Sequence, residues 1–412
     1  MKKIIAILFL NSFLFAQQKF DLDAALRLCT RDSNLYLKLE AYKIDLAQAD
    51  IASARSGANV LYNQQFLHFS NPSYFIPNTA FFNGQNSQTV HQITKKFHYP
   101  GQRGAKVSLA KEGLEESKLE YERYELEFKK QLTDLWLQAW LESKKADIYS
   151  RHNQEVDSMV KVMQSKSNFD KKDFERAQIL QEEFQVKLNK TKVLFQNDVR
   201  RIKLFLGTEK TPDFSSLNWV EKYKTPSLSY DSIFKLVTKN RVEIPIGEIK
   251  EKKAVKELKV TKNSVWEEPD IGIMINPQNT IPYAGTYFTF SFPTFNLKKG
   301  EIAKARIKIK ETEIQNELMV KSLDMEARNV LDLYTINFVD LQLNYTYLSV
   351  AENHVKATRL DFLDKKTDIL SYLEAEREYF QTRIDYFEAL YDFFQSKSDL
   401  VFATGLAKTL IK

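Results

Sequence analysis

The chain has 412 residues, of which only 11 are Gly and 10 are Pro, half or less of the average usage of about 7% and 5%. A sandwich or propeller of short strands needs a turn about every ten residues, so turn-rich all-β folds are excluded, together with collagen-like and Pro/Gly-rich disordered classes. Apolar residues make up 43% and charged residues 28%, and 60 basic against 54 acidic side chains leave a net charge of +6; this excludes a disordered polyelectrolyte and a bundle of membrane-spanning helices, and with no compact basic face it argues against nucleic-acid partners.

At the N-terminus Lys2 and Lys3 precede an apolar run that ends at Phe15 and Ala16, the pattern of a secretory signal peptide over residues 1–16. Leu14 is larger than usual at the third position before the cut, and a short membrane anchor is the alternative. No other long apolar run follows, so entry into a membrane would have to be as β-strands. The single cysteine, Cys29, forms no internal disulfide and reads as a small buried hydrophobe.

Leu35, Leu39, Tyr42, Leu46 and Ala49 then recur at alternating steps of four and three, the period of about 3.5 that marks coiled-coil helices. Seven of the ten prolines fall in two windows, Pro72 to Pro100 and Pro269 to Pro293. In the first, Val60 to Phe69 and Thr89 to Tyr99 are expected to form a hairpin. In the second, Ile271, Ile273 and Ile275 alternate, and Gly285 to Phe292 puts Phe288, Phe290 and Phe292 on one face with Tyr287, Thr289 and Ser291 on the other. An aromatic face backed by a polar face fits a barrel wall, with lipid outside and water inside, although a hairpin on a soluble core gives the same pattern.

After each hairpin a proline-free helical stretch is predicted, from Gly101 to about Gln164 and from Lys298 to about Leu363, each about 95 Å long at 1.5 Å per residue. Leu132, Leu135, Trp136, Ala139 and Trp140 line one face of the first. Ala327, Leu331, Tyr334, Phe338, Leu341, Tyr345 and Leu348 carry the heptads of the second. Each stretch is interrupted by a charged cluster, Phe169, Asp170, Lys171, Lys172 and Asp173 in one, Asp361, Phe362, Asp364, Lys365, Lys366 and Asp368 in the other, before a returning helix. Gly207 and Gly405 are placed as helix C-caps.

The order helix, hairpin, long helix, turn, returning helix therefore occurs twice. The expected division is residues 17–211 as the first repeat, 212–228 as a linker and 229–412 as the second repeat. Four strands cannot close a membrane barrel, for which about eight is the small end. Two copies of the chain would supply eight and three would supply twelve. The fold class is thus mainly α, with long coiled-coil helices in a tandem-repeat protomer and two β-hairpins.

With its tandem halves, its hairpins, the Pro100-Gly101-Gln102-Arg103-Gly104 stretch and the terminal Gly207 and Gly405, the chain resembles TolC-type outer-membrane efflux channels, the outer-membrane factor family. The resemblance implies a homotrimer with a twelve-stranded barrel in outer-membrane lipid and a helical tunnel crossing the periplasm. It implies a passive conduit of a tripartite efflux or type I secretion system, carrying small molecules or ions, whose far end meets a periplasmic adaptor and an inner-membrane pump. The two charged clusters correspond to the periplasmic tip. There Asp361, Asp364, Asp368, Asp170 and Asp173 would form the gate, and Phe169, Lys171, Lys172, Phe362, Lys365 and Lys366 the adaptor-docking turns.

Drug-efflux members narrow their entrance with two aspartates, four and seven positions beyond an arginine. Here those positions hold Asp368, Ser371 and Asp364, and the family's tip glycine is replaced near Ser167 and at Phe362, so the gate departs from that pattern. A threefold axis would gather the aspartates into a negative constriction; the plain alternative is a solvated turn that only stops a helix.

Five scattered histidines, no His-x-x-x-His pair and no phosphate loop give no catalytic constellation. No enzyme, cofactor or metal centre is expected. The rival reading is an exported coiled-coil structural protein without a conduit, which would have no need of matching hairpins.

Overall fold

The computed structural model describes residues 20–69, 71–79, 84–165, 171–217, 229–277, 282–364 and 366–410. The expected signal peptide, most of the expected linker, Phe169, Asp170 and Lys365 lie outside them. Short α1 (Leu22–Arg27) and α2 (Leu35–Arg55) lead into β1 (Val60–His68) and β2 (Ser87–Lys96), followed by the long α3 (Gln102–Ser165) and the returning α4 (Lys171–Leu206). The same succession then recurs as α5 (Tyr230–Asn240), α6 (Glu243–Asn263), β3 (Asp270–Asn276), β4 (Tyr283–Thr289), α7 (Lys299–Leu363) and α8 (Ile369–Ala403), closed by a turn of helix, α9 (Ala407–Leu410). The long helices have 64 and 65 residues. No helix among the described residues is long and apolar enough to cross a membrane.

The chain forms two compact units that cut across the repeats. One comprises Tyr42–Glu120 and Ile244–Leu318, the other the described residues of Met1–Ala41, Tyr121–Glu243 and Met319–Lys412. The first unit holds the sheet, four antiparallel strands in the order β1-β2-β3-β4. Both hairpins therefore belong to one sheet, joined where β2 pairs with β3. At that seam Gly272 is required, since a Cβ there would sit 2.1 Å from the Ile93 carbonyl oxygen.

β4 stops at Thr289, which corrects the expected strand: Phe290 and Phe292 lie beyond it. The cause is on the neighbouring strand, because Thr289 pairs with Asp270 and the residue before that is Pro269, which has no N–H to continue the ladder. Likewise β2 spans Ser87–Lys96 rather than reaching Tyr99. Beside the sheet, Gln102 at the start of α3 is buried. Its amide accepts from the Tyr99 N–H at 3.1 Å and donates to the carbonyls of Asn263 and Trp266 at 2.8 and 2.6 Å. The Pro100–Gly104 stretch thus pins the start of α3 to the end of α6.

The second unit is helical and holds two apolar clusters. In one, Leu132, Trp136 and Ala139 are fully buried, as their spacing predicts, and Trp136 packs edge-on against Phe20. Cys29 belongs to this cluster, and burial pushes its thiol up to about 12. The other cluster is built around Phe184, Leu373 and Phe380. Gly207 and Gly405 both take the left-handed backbone, at φ 64° and 69°. At the first, the Thr208 and Gly207 N–H groups donate to the Lys203 and Leu204 carbonyls, closing α4 in a Schellman motif.

The heptad stripes are only partly covered within the chain. Leu35, Leu39, Tyr42 and Leu46 of α2 are exposed, and the buried side of that helix carries Leu37, Ala41 and Ile51 instead. On α7, Ala327 and Tyr334 are buried while Phe338 and Tyr345 are exposed. These helices are apolar on more than one side, so an apolar stripe alone does not say which side faces the chain's own core.

Candidate functional site

Strand pairing assigns each residue of the sheet to a face, because side chains alternate along a strand and directly paired residues share a side. Ile271 pairs with Phe288 and Ile273 with Ile93, which in turn pairs with Tyr62. Val60, Tyr62, Phe66, Ile93, Ile271, Ile273, Ile275 and Phe288 consequently share one face, with Gln64, Thr89, His91 and Thr286 among them. The other carries Asn63, Gln65, Gln88, Gln92, Thr94, Asn276, Tyr287 and Thr289 together with Leu61, Leu67, Val90 and Met274, so it is the more polar of the two without being free of apolar side chains. Every residue of β1 and β4 is exposed, and within the chain these two strands are the edges of the sheet. The apolar face continues past β4, where the Phe290 ring stacks parallel to Phe288 with centroids 6.4 Å apart and Phe292 is exposed. Lys95 falls on this face near its end and reaches over the Phe97 ring, 5.8 Å from its centroid, so its stem can lie along apolar surface while the ammonium stays outside.

Of the first charged turn, Lys171, Lys172 and Asp173 open α4. Asp173 sits in the first helical turn, where a negative charge meets the positive end of the helix dipole. Lys171 approaches Glu175 at 3.7 Å.

The second turn brings Asp361, Asp364 and Asp368 into a short exposed segment. The Lys366 ammonium bridges it, 2.9 Å from Asp364 and 4.0 Å from Asp361, while the Lys366 N–H donates to the Asp361 carbonyl. Asp368 is the N-cap of α8: its Oδ1 accepts from the Ser371 N–H at 2.9 Å and from the Ser371 hydroxyl at 2.6 Å. These bonds, hydroxyl first and backbone second, hold its carboxyl below the ordinary value of 3.8. Ser371 is thus the capping partner of Asp368. Phe362 stacks on Tyr372 with centroids 5.5 Å apart and an interplanar angle of 8°, anchoring the turn to α8.

A further group lies deeper in the helical unit and was not singled out in the sequence. His152 and Glu155 on α3 and Glu376 on α8 bring one ligand atom each to within 4.8 Å of one another. The local signal was His152-x-x-Glu155, three residues apart and hence on one helix face; its third member is far away in sequence.

This architecture, one sheet made of two hairpins and a tandem repeat of long helices, is the fold of the TolC-type outer-membrane efflux channels. Solved structures of such channels superpose on nearly the whole chain. CusC matches with a TM-score of 0.75 at 14% identity, over 93% of this chain and 92% of its own. The Neisseria gonorrhoeae MtrE outer-membrane channel in its open state gives 0.75 at 12%, over 93% and 88%, and the Campylobacter jejuni CmeC outer-membrane channel gives 0.73 at 12%, over 93% and 85%. Neither a family model nor a curated protein sequence matches the chain.

Proposed function

We propose that the chain is the outer-membrane channel of a tripartite efflux or type I secretion system, a passive conduit rather than an enzyme, exported by its signal peptide over residues 1–16. The observation that carries this reading is the two-faced sheet with two open edges. A face rich in isoleucines and aromatics backed by one rich in amides and hydroxyls suits a wall between lipid and water; β1 and β2, with 9 and 10 residues, have the length of membrane-spanning strands, about 9–11 residues, while β3 and β4 are shorter at 7 each. Phe288 then faces lipid, and Phe290 and Phe292, just past the strand, anchor at the membrane surface, where aromatic residues gather.

Open edges in a membrane have to be paired, and further copies of the chain are the natural source. Heptad-spaced apolar residues left outside on the helices support the same conclusion: Ile336, Leu343 and Val350 on α7, and Ile179, Val186 and Val193 on α4, are all exposed. Three copies, the number implied by the resemblance, give a barrel of twelve strands. In this homotrimer the repeats 17–211 and 229–412, joined by the linker 212–228, alternate around the ring. The turns with Lys171, Lys172, Phe362, Lys366 and the aspartates Asp173, Asp361, Asp364 and Asp368 form the periplasmic tip, together with Phe169, Asp170 and Lys365. There a periplasmic adaptor, itself bound to an inner-membrane pump, docks.

A coiled-coil stalk without a conduit would use the heptads but leave the sheet unexplained. Fractionation with gel electrophoresis of unheated samples tests the assignment. The protein is expected in the outer-membrane fraction as a band of three chains that collapses on boiling. Recovery as a soluble periplasmic monomer would refute it.

A further inference from the structure

We infer that His152, Glu155 and Glu376 form a binding site for a divalent transition-metal ion of the zinc class. Nδ1 of His152 stands 3.4 Å from Oε2 of Glu155 and 3.7 Å from Oε2 of Glu376. Both distances exceed the usual N–H···O range of about 2.7–3.2 Å. They approach the spacing of two ligands on one tetrahedral ion, since atoms about 2.0–2.1 Å from zinc lie about 3.3–3.4 Å from one another.

The imidazole also has an unanswered requirement. It is buried, and its Nε2 has no hydrogen-bond partner. If Nε2 carries the proton, the Nδ1 lone pair faces two carboxylates with nothing between them. If Nδ1 carries it, a bare Nε2 lone pair is buried without a donor. A cation at Nδ1 answers the two carboxylates and fixes the tautomer with Nε2–H directed among aromatic rings; an imidazolium whose Nδ1–H points at Glu155 would put Nε2–H there as well, so Nε2 does not choose between the two and the carboxylate spacing carries the inference.

The surroundings hold these groups in place before any ion arrives. The His152 ring is clamped between Phe184, edge-on at 4.5 Å, and Phe380, stacked at 4.7 Å. The Tyr372 hydroxyl donates to the other oxygen of Glu376 at 2.7 Å, the kind of outer contact that orients a metal-binding carboxylate. An open groove of about 520 Å³, lined among others by Glu155, Glu376 and Tyr372, gives access and leaves room for a water as fourth ligand. Of the cations near the groove, Lys356 is paired with Glu352 at 2.6 Å, while Arg359, which lines it, and Arg383 act on Glu155 and compete with a metal for that carboxylate. The expectation of no metal centre rested on the lack of paired histidines, and a single histidine with two carboxylates escapes that criterion.

Titration of the detergent-solubilised full-length protein with Co2+, followed by visible absorption, tests the site independently of any channel activity. One Co2+ per chain with tetrahedral-type bands, displaced by Zn2+, is expected. H152Q and E376Q should abolish the bands, E155Q should weaken binding at least about tenfold, and Y372F, which keeps the ring and its packing, should weaken it about 10–100-fold. Far-UV circular dichroism confirms that each variant is folded, and E155Q, at an exposed position, decides the matter if the buried variants do not fold. Absence of the bands in the unaltered protein, as a protonated His152 between its two carboxylates would give, overturns the inference. Bands and affinity unchanged in E155Q and Y372F overturn it equally.

Discussion

Gly207 and Gly405 end their helices with the same left-handed backbone, but only one of them is crowded. A Cβ on Gly207 would meet nothing within 4 Å, whereas on Gly405 it would lie 2.7 Å from the Asn240 Cβ and 2.8–2.9 Å from Asn240 backbone atoms. G207A should cost only the left-handed strain of a side chain, about 1–2 kcal/mol. G405A adds a clash with backbone that cannot rotate away, so its thermal midpoint, read by circular dichroism, should fall further. Equal midpoints would mean that the α5 end is free to move.

Asp198, on α4, poses the opposite kind of residue question. It is buried, and burial pushes its carboxyl above the ordinary 3.8, more than nearby Arg201 offsets. With the folded pKa above the unfolded one, the folded state holds the proton more tightly. Ionisation of Asp198 therefore destabilises the fold above the folded pKa, and the penalty is relieved as pH falls through it. D198N should raise the thermal midpoint at neutral pH, and the difference from the unaltered protein should vanish below pH 3.8, where both are neutral.

At the scale of elements, the helices carry more apolar surface than one chain covers. Ile336, Leu343 and Val350, seven residues apart on α7, are 60%, 49% and 63% exposed, and burying one such side chain is worth about 1.5–3 kcal/mol. If these stripes join neighbouring copies, L343K places a charge in each of the resulting seams and should convert the boil-sensitive oligomer to monomers with unchanged helix content. Q342K, at the adjacent exposed position, should not. Persistence of the oligomer in L343K would assign the stripe to another role.

The same stripes mark where the sequence was legible. Period and the placement of proline and glycine gave the two long helices to within a residue or two, and alternation gave the apolar faces of β3 and β4 but not their register, in which Ile271 pairs with Phe288. What period could not tell is which of two apolar sides is internal, as Leu35 and Leu37 on α2 illustrate, since both sides are buried somewhere if copies associate. Strand ends depend on the neighbour, with Pro269 ending the ladder at Thr289, short of Phe290 and Phe292. The His152 group was hidden because its third member comes from another helix, and no local spacing records that.

At the scale of the whole molecule, the question is whether the acidic turn is a gate or a helix stop, and the geometry of Asp368 allows the two to be separated. Asp368 caps α8 through Ser371, so removing the side chain removes both the charge and the cap. Asparagine caps about as well as aspartate and carries no charge, so D368N isolates the electrostatic part. Asp364 is already partly neutralised by Lys366 at 2.9 Å, and D364N alone should therefore have the smaller effect.

If three copies bring these turns around one axis, a ring of carboxylates attracts cations and repels anions, and its field strengthens as the constriction narrows. In planar bilayers D368N should reduce cation selectivity and weaken block by multivalent cations without lowering thermal stability, and the D364N/D368N double variant should do so further. D368A should show the same electrical change together with a lower thermal midpoint, because it also loses the cap. Selectivity and block unaltered in the double variant, with stability lost only in D368A, would reduce Asp368 to the start of a helix and move the gate elsewhere in the turn.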